Sequence, residues 1–206
     1  MSLTWLIMTV LGTTVLFWNR AFISLWVGAE HYVGAIPDLL IVVVVLQFIL
    51  IRNDGNVIDL SLRLKQKVII GAISVGLSLS IAVALVSWLK LGIVGICIGL
   101  IAGRIILSAG YPILVGRLLG ISFSFQLKSA LRPAFVTFLF FSLATCFDNF
   151  ISTTKNFAVG GWIGLGIFIC VTAIGALALA FYLGLSSGQR EAIIQRVRIV
   201  LAITKG

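Results

Sequence analysis

The feature that most constrains this chain is a series of six long apolar segments, separated by short connections that hold most of its charge. An α-helix needs roughly 20 residues to cross a hydrocarbon core about 30 Å thick. Charged residues make up 10% of the chain, against about 25% in soluble domains, so lipid has to serve as its solvent. The sequence therefore predicts an all-α, polytopic membrane helix bundle, one transmembrane domain over 1–206.

The six predicted spans are 3–18, 33–51, 68–89, 92–114, 133–147 and 162–185. The first and fifth are short, and we expect the first to continue toward Phe22 and the fifth to begin near Ser129. Segments 53–66 and 189–206 mix apolar and charged residues. This pattern predicts amphipathic helices in the membrane interface, the second of them a cytoplasmic tail.

The distribution of Lys and Arg predicts the orientation. Of these 15 residues, eleven lie in the second and fourth connections and the C-terminal segment, and three lie in the other connections. Cytoplasmic connections are rich in Lys and Arg, so both termini are expected in the cytoplasm. The five Trp residues fall at span ends, as aromatic belts require. No nucleic-acid-binding motif accompanies the net charge of +9, so membrane lipid is an expected partner and nucleic acid is not.

Arg104 is the one basic residue inside a predicted span, about 18 Å along the helix from Gly92. An ionisable group at that depth costs at least about 2.5 kcal/mol and usually faces a bundle interior or a wet cavity. A guanidinium pairs bidentately with phosphate, so Arg104 is a candidate phosphate-binding residue, with Ser108 and Tyr111 as candidate cavity-lining residues. The alternative is a structural Arg bonded to backbone carbonyls or extended toward the interface.

Small residues recur every four positions in the fourth span, at Gly95, Gly99 and Gly103. Such stripes let two helix backbones approach closely, so we expect these glycines to pack against a neighbouring helix. The alternative is a surface on which the helices slide during a conformational change. The third span carries a similar stripe, formed by Ala72, Gly76 and Ser80.

Other polar residues give weaker signals. Asp38 follows Pro37 near a span end and is expected to cap a helix, with a coupling cation or proton site as the alternative. Asp148 is expected at a solvated helix end. Glu30 and His31 have no further metal ligand nearby in the sequence.

With one His, no acidic pair at helical spacing and no phosphate-binding loop, neither catalysis nor a metal or cofactor is expected.

Three segments carry a family resemblance. They are NRAFISLWVG at 19–28, LRLKQK at 62–67 and LGIVGICIGLIAGR at 91–104. Together with the order of spans and basic connections, they resemble the polysaccharide and O-antigen flippases of the multidrug/oligosaccharidyl-lipid/polysaccharide exporter superfamily. Members of that family have two lobes of helices, and this chain is similar to the C-terminal portion, a partial second lobe.

The resemblance implies translocation of a polyprenyl-phosphate-linked glycan across a prokaryotic cytoplasmic membrane, in the biosynthesis of polysaccharide or lipopolysaccharide O-antigen. It also implies a partner, the missing N-terminal lobe or another subunit, because the family's cavity lies between two lobes. One alternative is a multidrug or cation exporter of the same superfamily. Such exporters favour an acidic site inside a span, and the interiors of the predicted spans hold none. Another alternative is a membrane scaffold that transports nothing.

Overall fold

A computed structural model describes residues 2–60, 64–153 and 160–203, and within these ranges the chain is all-α, without a β-strand. Six of its helices are long and apolar enough to cross a membrane. The chain therefore has the architecture of a multi-pass membrane protein. The helices are α1 (Ser2–Trp26), α2 (Ala35–Leu60), α3 (Leu64–Ser87), α4 (Gly92–Leu119), α5 (Phe123–Thr153), α6 (Gly161–Gly184) and α7 (Ser187–Ile203), with a short 3-10 turn at Ala29–His31 between α1 and α2.

The predicted all-α bundle of six spans is confirmed, and several helices run beyond their apolar segments. The prediction of a separate interfacial helix at 53–66 is wrong over its described part, because 53–60 continue α2 and α3 begins at Leu64. Ile58 explains the difference, since its side chain is 1% exposed and packs with Tyr111 and Val115 of α4. The apolar face of this segment therefore packs against protein and not against lipid headgroups.

The C-terminal segment is helical from Ser187 to Ile203, and 204–206 lie outside the described residues. Ile193 of α7 packs against the main apolar core. That α7 lies in the membrane interface stays a prediction.

The helices pack as two groups joined by α1 and α2. In the first group α1 contacts α5 and α6, and in the second α4 contacts α2 and α3. The main core lies where α1, α2, α5 and α6 meet, and includes Leu6, Val42, Phe140, Phe141 and Ala180. A smaller core, around Ile58 and Tyr111, holds α2 against α4.

The two ends of the bundle differ in character. We call one the basic end, because the helix termini there carry Arg52, Lys65, Lys67, Arg117, Lys128 and Arg132. We call the other the far end, where Trp26, Trp88 and Trp162 are exposed. Trp18 also lies toward the far end, but it is buried and donates a hydrogen bond to Thr172 Oγ1 (2.9 Å). Trp18 is therefore a packing residue and not part of an exposed aromatic belt.

Helices α3 and α4 approach closely, on the face of α4 that carries Gly95, Gly99 and Gly103. A Cβ atom at Gly103 would lie 2.5 Å from Ser78 Cα, and one at Gly99 would lie 2.6 Å from Ala82 Cα. Only hydrogen fits between these backbones. The prediction for α3 is wrong, because α3 presents Ser74, Ser78 and Ala82 to α4. The stripe at Ala72, Gly76 and Ser80 is exposed instead.

Ser74 adds a polar contact to this approach, since its hydroxyl donates to the Gly103 carbonyl oxygen at 2.9 Å. We expect Ser74→Ala to lower the free energy of unfolding by about 0.6 kcal/mol, the average for interhelical hydrogen bonds in membranes. Unfolding in mixed detergent micelles measures this. The matched control is Ser80→Ala, because the Ser80 hydroxyl donates within its own helix, to the Gly76 carbonyl oxygen. Equal losses for both variants would contradict an interhelical role for Ser74.

Candidate functional site

A partly open cavity of about 470 Å³ lies between the two helix groups, from the middle of the bundle to the basic end. Its walls come from α1, α2, α4 and α5, and most of the lining surface is apolar, with Trp5 among the lining side chains. Its polar lining residues are Gln47, Asn53, Asp54, Ser108, Gln126 and Ser129. A cavity of this size with a few convergent polar groups has the usual form of a small-molecule binding site.

One face of α2 supplies the most informative polar groups. Gln47 and Asp54 are seven residues apart, so they project from the same side of the helix. The Gln47 amide donates to Ser108 Oγ (3.1 Å) and the Ile101 carbonyl (3.3 Å), while its own carbonyl oxygen is buried and accepts no hydrogen bond. Asp54 is 8% exposed as a residue and lines the cavity.

Trp5 is fixed at the cavity wall by polar contacts with α5. Its indole Nε1 donates to Thr137 Oγ1 at 2.9 Å, and the Thr137 hydroxyl in turn donates to the Pro133 carbonyl at 2.8 Å. The Thr9 and Thr137 oxygens lie 2.7 Å apart. The indole is therefore held in one orientation beside the cavity.

The three polar residues predicted on α4 are not brought together. Ser108 lines the cavity, whereas Arg104 and Tyr111 do not. Tyr111 is buried on another face of α4, where its hydroxyl donates weakly to the Lys67 carbonyl (3.5 Å). Arg104 is half-buried, and its guanidinium lies 5.6 Å from the ring centroid of the exposed Phe48. Arg104 is nevertheless one helical turn from Ser108, so it flanks the cavity at the α2–α4 edge.

Polar side chains from three helix ends meet at the far end, in a cluster that we call the far-end cluster: Asn19, Arg20, Tyr32, Asp38 and Asp148. Asn19 donates to Asp38 (2.8 Å), and the Tyr32 hydroxyl donates to Asp148 (3.0 Å). The Arg20 guanidinium lies 4.0 Å from Asp148 and 5.4 Å from the centroid of the Tyr32 ring. These contacts tie α1, α2 and α5 together.

Two sequence predictions are wrong in this cluster. Asp38 was expected to cap its helix, but α2 begins three residues earlier at Ala35, and the carboxylate bonds Asn19 of α1. Asp148 was expected at a solvated end, but α5 continues past it to Thr153, and its side chain is 6% exposed. Both carboxylates therefore serve contacts between helices.

Tyr32 stays protonated and can act as the donor of the far-end cluster. Burial raises the pKa of its hydroxyl above the ordinary value, and the nearby carboxylates of Asp38 and Asp148 raise it further. The protonated phenol supplies these two carboxylates with a hydrogen-bond donor, beside the donors of Asn19 and Arg20.

Glu30 and His31 form an exposed pair at the far end. His31 Nδ1 lies 3.5 Å from Glu30 Oε1, and both side chains are mostly exposed. Over the described parts of the chain, no three His, Cys, Asp or Glu side chains converge as a metal site would need.

Sequence reasoning missed the α2 face of the cavity. Asp54 fell outside the predicted second span because Arg52 ends the apolar run, whereas the helix continues. Gln47 and Asp54 are two helical turns apart. This spacing would have placed both residues on one face of α2 if the predicted helix had been extended past Arg52.

In the comparison with known proteins, no family model, curated protein or solved structure matches this chain.

Proposed function

We propose that this chain is the C-terminal part of a flippase that moves a polyprenyl-phosphate-linked oligosaccharide across the cytoplasmic membrane of a prokaryote. The observation that carries the proposal is the cavity at the basic end, which combines apolar walls, amide and hydroxyl groups, and an oriented indole at Trp5. A second lobe, from the same chain or another subunit, would complete the path. The resemblance of segments 19–28, 62–67 and 91–104 to polysaccharide flippases supports the same function.

The charge distribution supports the orientation. Lys and Arg gather at the basic end, which we place in the cytoplasm with both termini. The cavity would then face the side on which lipid-linked sugars are assembled. The far-end cluster would hold the opposite side closed, as alternating access requires of one of its states.

The chemistry of the cavity suits a sugar headgroup. Sugar hydroxyls both donate and accept, and the amides of Gln47, Asn53 and Gln126 and the hydroxyl of Ser108 do the same. The apolar faces of sugar rings can pack on an aromatic side chain such as Trp5. A ligand with many hydroxyls can therefore use both the polar and the apolar parts of this lining.

Arg104 has a compatible place in the proposal. It flanks the cavity at the α2–α4 edge, beside the exposed side chain of Phe48. A phosphate at this edge would lie between sugars in the cavity and a polyprenyl tail in lipid, and a guanidinium can bind it bidentately.

Filling the cavity tests the proposal. We expect Ser108→Trp to reduce translocation of a fluorescent lipid-linked oligosaccharide at least about ten-fold, a loss of about 1.4 kcal/mol of binding free energy or more, because the indole would occupy the sugar site. The assay follows the probe's arrival at the outer leaflet in vesicles that carry the complete transporter, with equal protein amounts in the membrane.

The matched control is Ser80→Trp, which places the same indole on the exposed face of α3 and should transport normally. Normal transport by Ser108→Trp would contradict a substrate path through this cavity. Arg104→Ala should also reduce translocation, with partial rescue by Arg104→Lys, because lysine keeps the charge but not the bidentate geometry.

An exporter of organic cations is the second candidate, and one observation favours it. Asp54 belongs to α2 and lines the cavity, so an acidic side chain is present where none was expected. Export of a cationic dye without translocation of the lipid-linked probe would favour this candidate over the flippase.

A further inference from the structure

The cavity contains two hydrogen-bond acceptors on α2 that the described part of the chain leaves without donors. The Gln47 carbonyl oxygen is buried and unpaired. No described residue donates a hydrogen bond to the Asp54 carboxylate, which lines the cavity on a residue that is 8% exposed as a whole. A buried acceptor such as the Gln47 carbonyl is normally satisfied, so its position in an open cavity indicates a ligand that brings donors.

The charge of the cavity lining has one sign. Asp54 is the only charged side chain among the described residues that line the cavity. The nearby Lys67 is engaged elsewhere, since its Nζ donates to Asp59 and to the Gly55 carbonyl. Burying a carboxylate costs free energy, and a ligand that brings a positive charge into the cavity would offset part of that cost.

We propose that the saccharide bound in this cavity carries a free amine, whose ammonium group binds Asp54. This inference rests on the proposed function and deepens it. An ammonium group has three donors and no acceptor, which matches a site that offers acceptors. A sugar carboxylate at the same position would be repelled by Asp54.

The spacing of the two acceptors adds a constraint on the ligand. Gln47 and Asp54 lie about 10 Å apart along the axis of α2. One pyranose with a hydrogen bond of about 2.8 Å at each end spans a distance of this order, so the amine at Asp54 and the donor to Gln47 fit on one sugar unit or on two neighbouring ones. Asp54 is the acceptor nearer the basic end.

The test compares three dansyl-labelled disaccharides that differ only in the terminal sugar, which is glucosamine, glucose or glucuronate. Their binding to the protein in lipid nanodiscs is measured by fluorescence anisotropy. We expect the glucosamine probe to bind about five-fold more tightly than the glucose probe, because a charge-assisted hydrogen bond is about twice as strong as a neutral one. The glucuronate probe should bind most weakly.

Asp54→Asn should reduce binding of the glucosamine probe to the level of the glucose probe. The matched control is Asp59→Asn, which removes a carboxylate from the same helix but outside the cavity lining and should keep the preference. If Asp54→Asn does not fold, the three probes compared on the unmodified chain still show whether the site prefers an amine-bearing sugar.

Equal binding of the glucosamine and glucose probes would overturn the amine preference and leave the proposed function standing. A preference that survives in Asp54→Asn would overturn the role of Asp54. If no probe binds better than a sugar-free dansyl linker, the cavity is not a sugar site, and the proposed function fails with the inference.

Discussion

Gly103→Ala is expected to lower the free energy of unfolding by about 3 kcal/mol, at the upper end of the range for overpacking. The added methyl group would lie 2.5 Å from Ser78 Cα and would also meet the Ser78 backbone nitrogen. Because these are backbone atoms of α3, no side-chain rotation can make room. The helices have to separate, and the hydrogen bond from Ser74 to the Gly103 carbonyl is weakened at the same time. Reversible unfolding in mixed micelles measures the loss.

The control for this variant is Gly76→Ala on α3. A Cβ at Gly76 meets nothing within 4 Å, and alanine has the higher helix propensity. This change should therefore leave stability within about 0.5 kcal/mol or raise it slightly. If the two variants cost the same, close backbone contact between α3 and α4 is not what stabilises this helix pair.

Asp148→Ala is expected to cost about 2 kcal/mol, because it removes the acceptor from a half-buried tyrosine donor and the nearby carboxylate from Arg20. The loss should appear first at the far end, as faster hydrogen exchange at the end of α5. Asp38 limits this loss of stability, since it lies close enough to Tyr32 to accept a hydrogen bond from the hydroxyl. Unfolding in mixed micelles and exchange measured by mass spectrometry provide the two readouts.

Glu30→Ala is the matched control, because Glu30 is an exposed acid at the same end; its effect should stay within about 0.5 kcal/mol. A double-mutant cycle sharpens the test. Tyr32→Phe should cost less in the Asp148→Ala background than in the unmodified chain, because the shared hydrogen bond can be lost only once. Strict additivity would show that Tyr32 and Asp148 do not stabilise each other.

Much of the fold could be predicted because lipid imposes a simple rule on sequence. Six apolar segments gave six spans, and the stripe at Gly95, Gly99 and Gly103 marked the face of α4 that packs most closely. Helix ends were harder to predict. Arg52 and Asp54 ended an apolar run without ending α2, because backbone hydrogen bonding continues through polar residues unless proline or a competing contact stops it.

Features that depend on which helices become neighbours could not be predicted. The third span has small residues on two faces, and nothing local distinguishes Ser74 and Ser78 from Gly76 and Ser80 as the face toward α4. The far-end cluster joins residues that are up to 129 positions apart, as Asn19, Tyr32 and Asp148 show. Arg104 belongs to α4, but its relation to the cavity depends on how α2 packs beside that helix.

The hydrogen bonds within α1 have a consequence for how the chain is assembled during synthesis. The Thr9 hydroxyl meets its partner Thr137 across 128 positions, so α1 enters the membrane long before α5 exists. Three of its threonines, Thr9, Thr13 and Thr14, donate to carbonyl oxygens of α1 itself. An inserted α1 therefore exposes few unpaired donors to lipid before α5 has been synthesised. Helices α3 and α4 are neighbours in the sequence, so they can pack as soon as both have been inserted. We expect this pair to be the first part of the bundle to assemble.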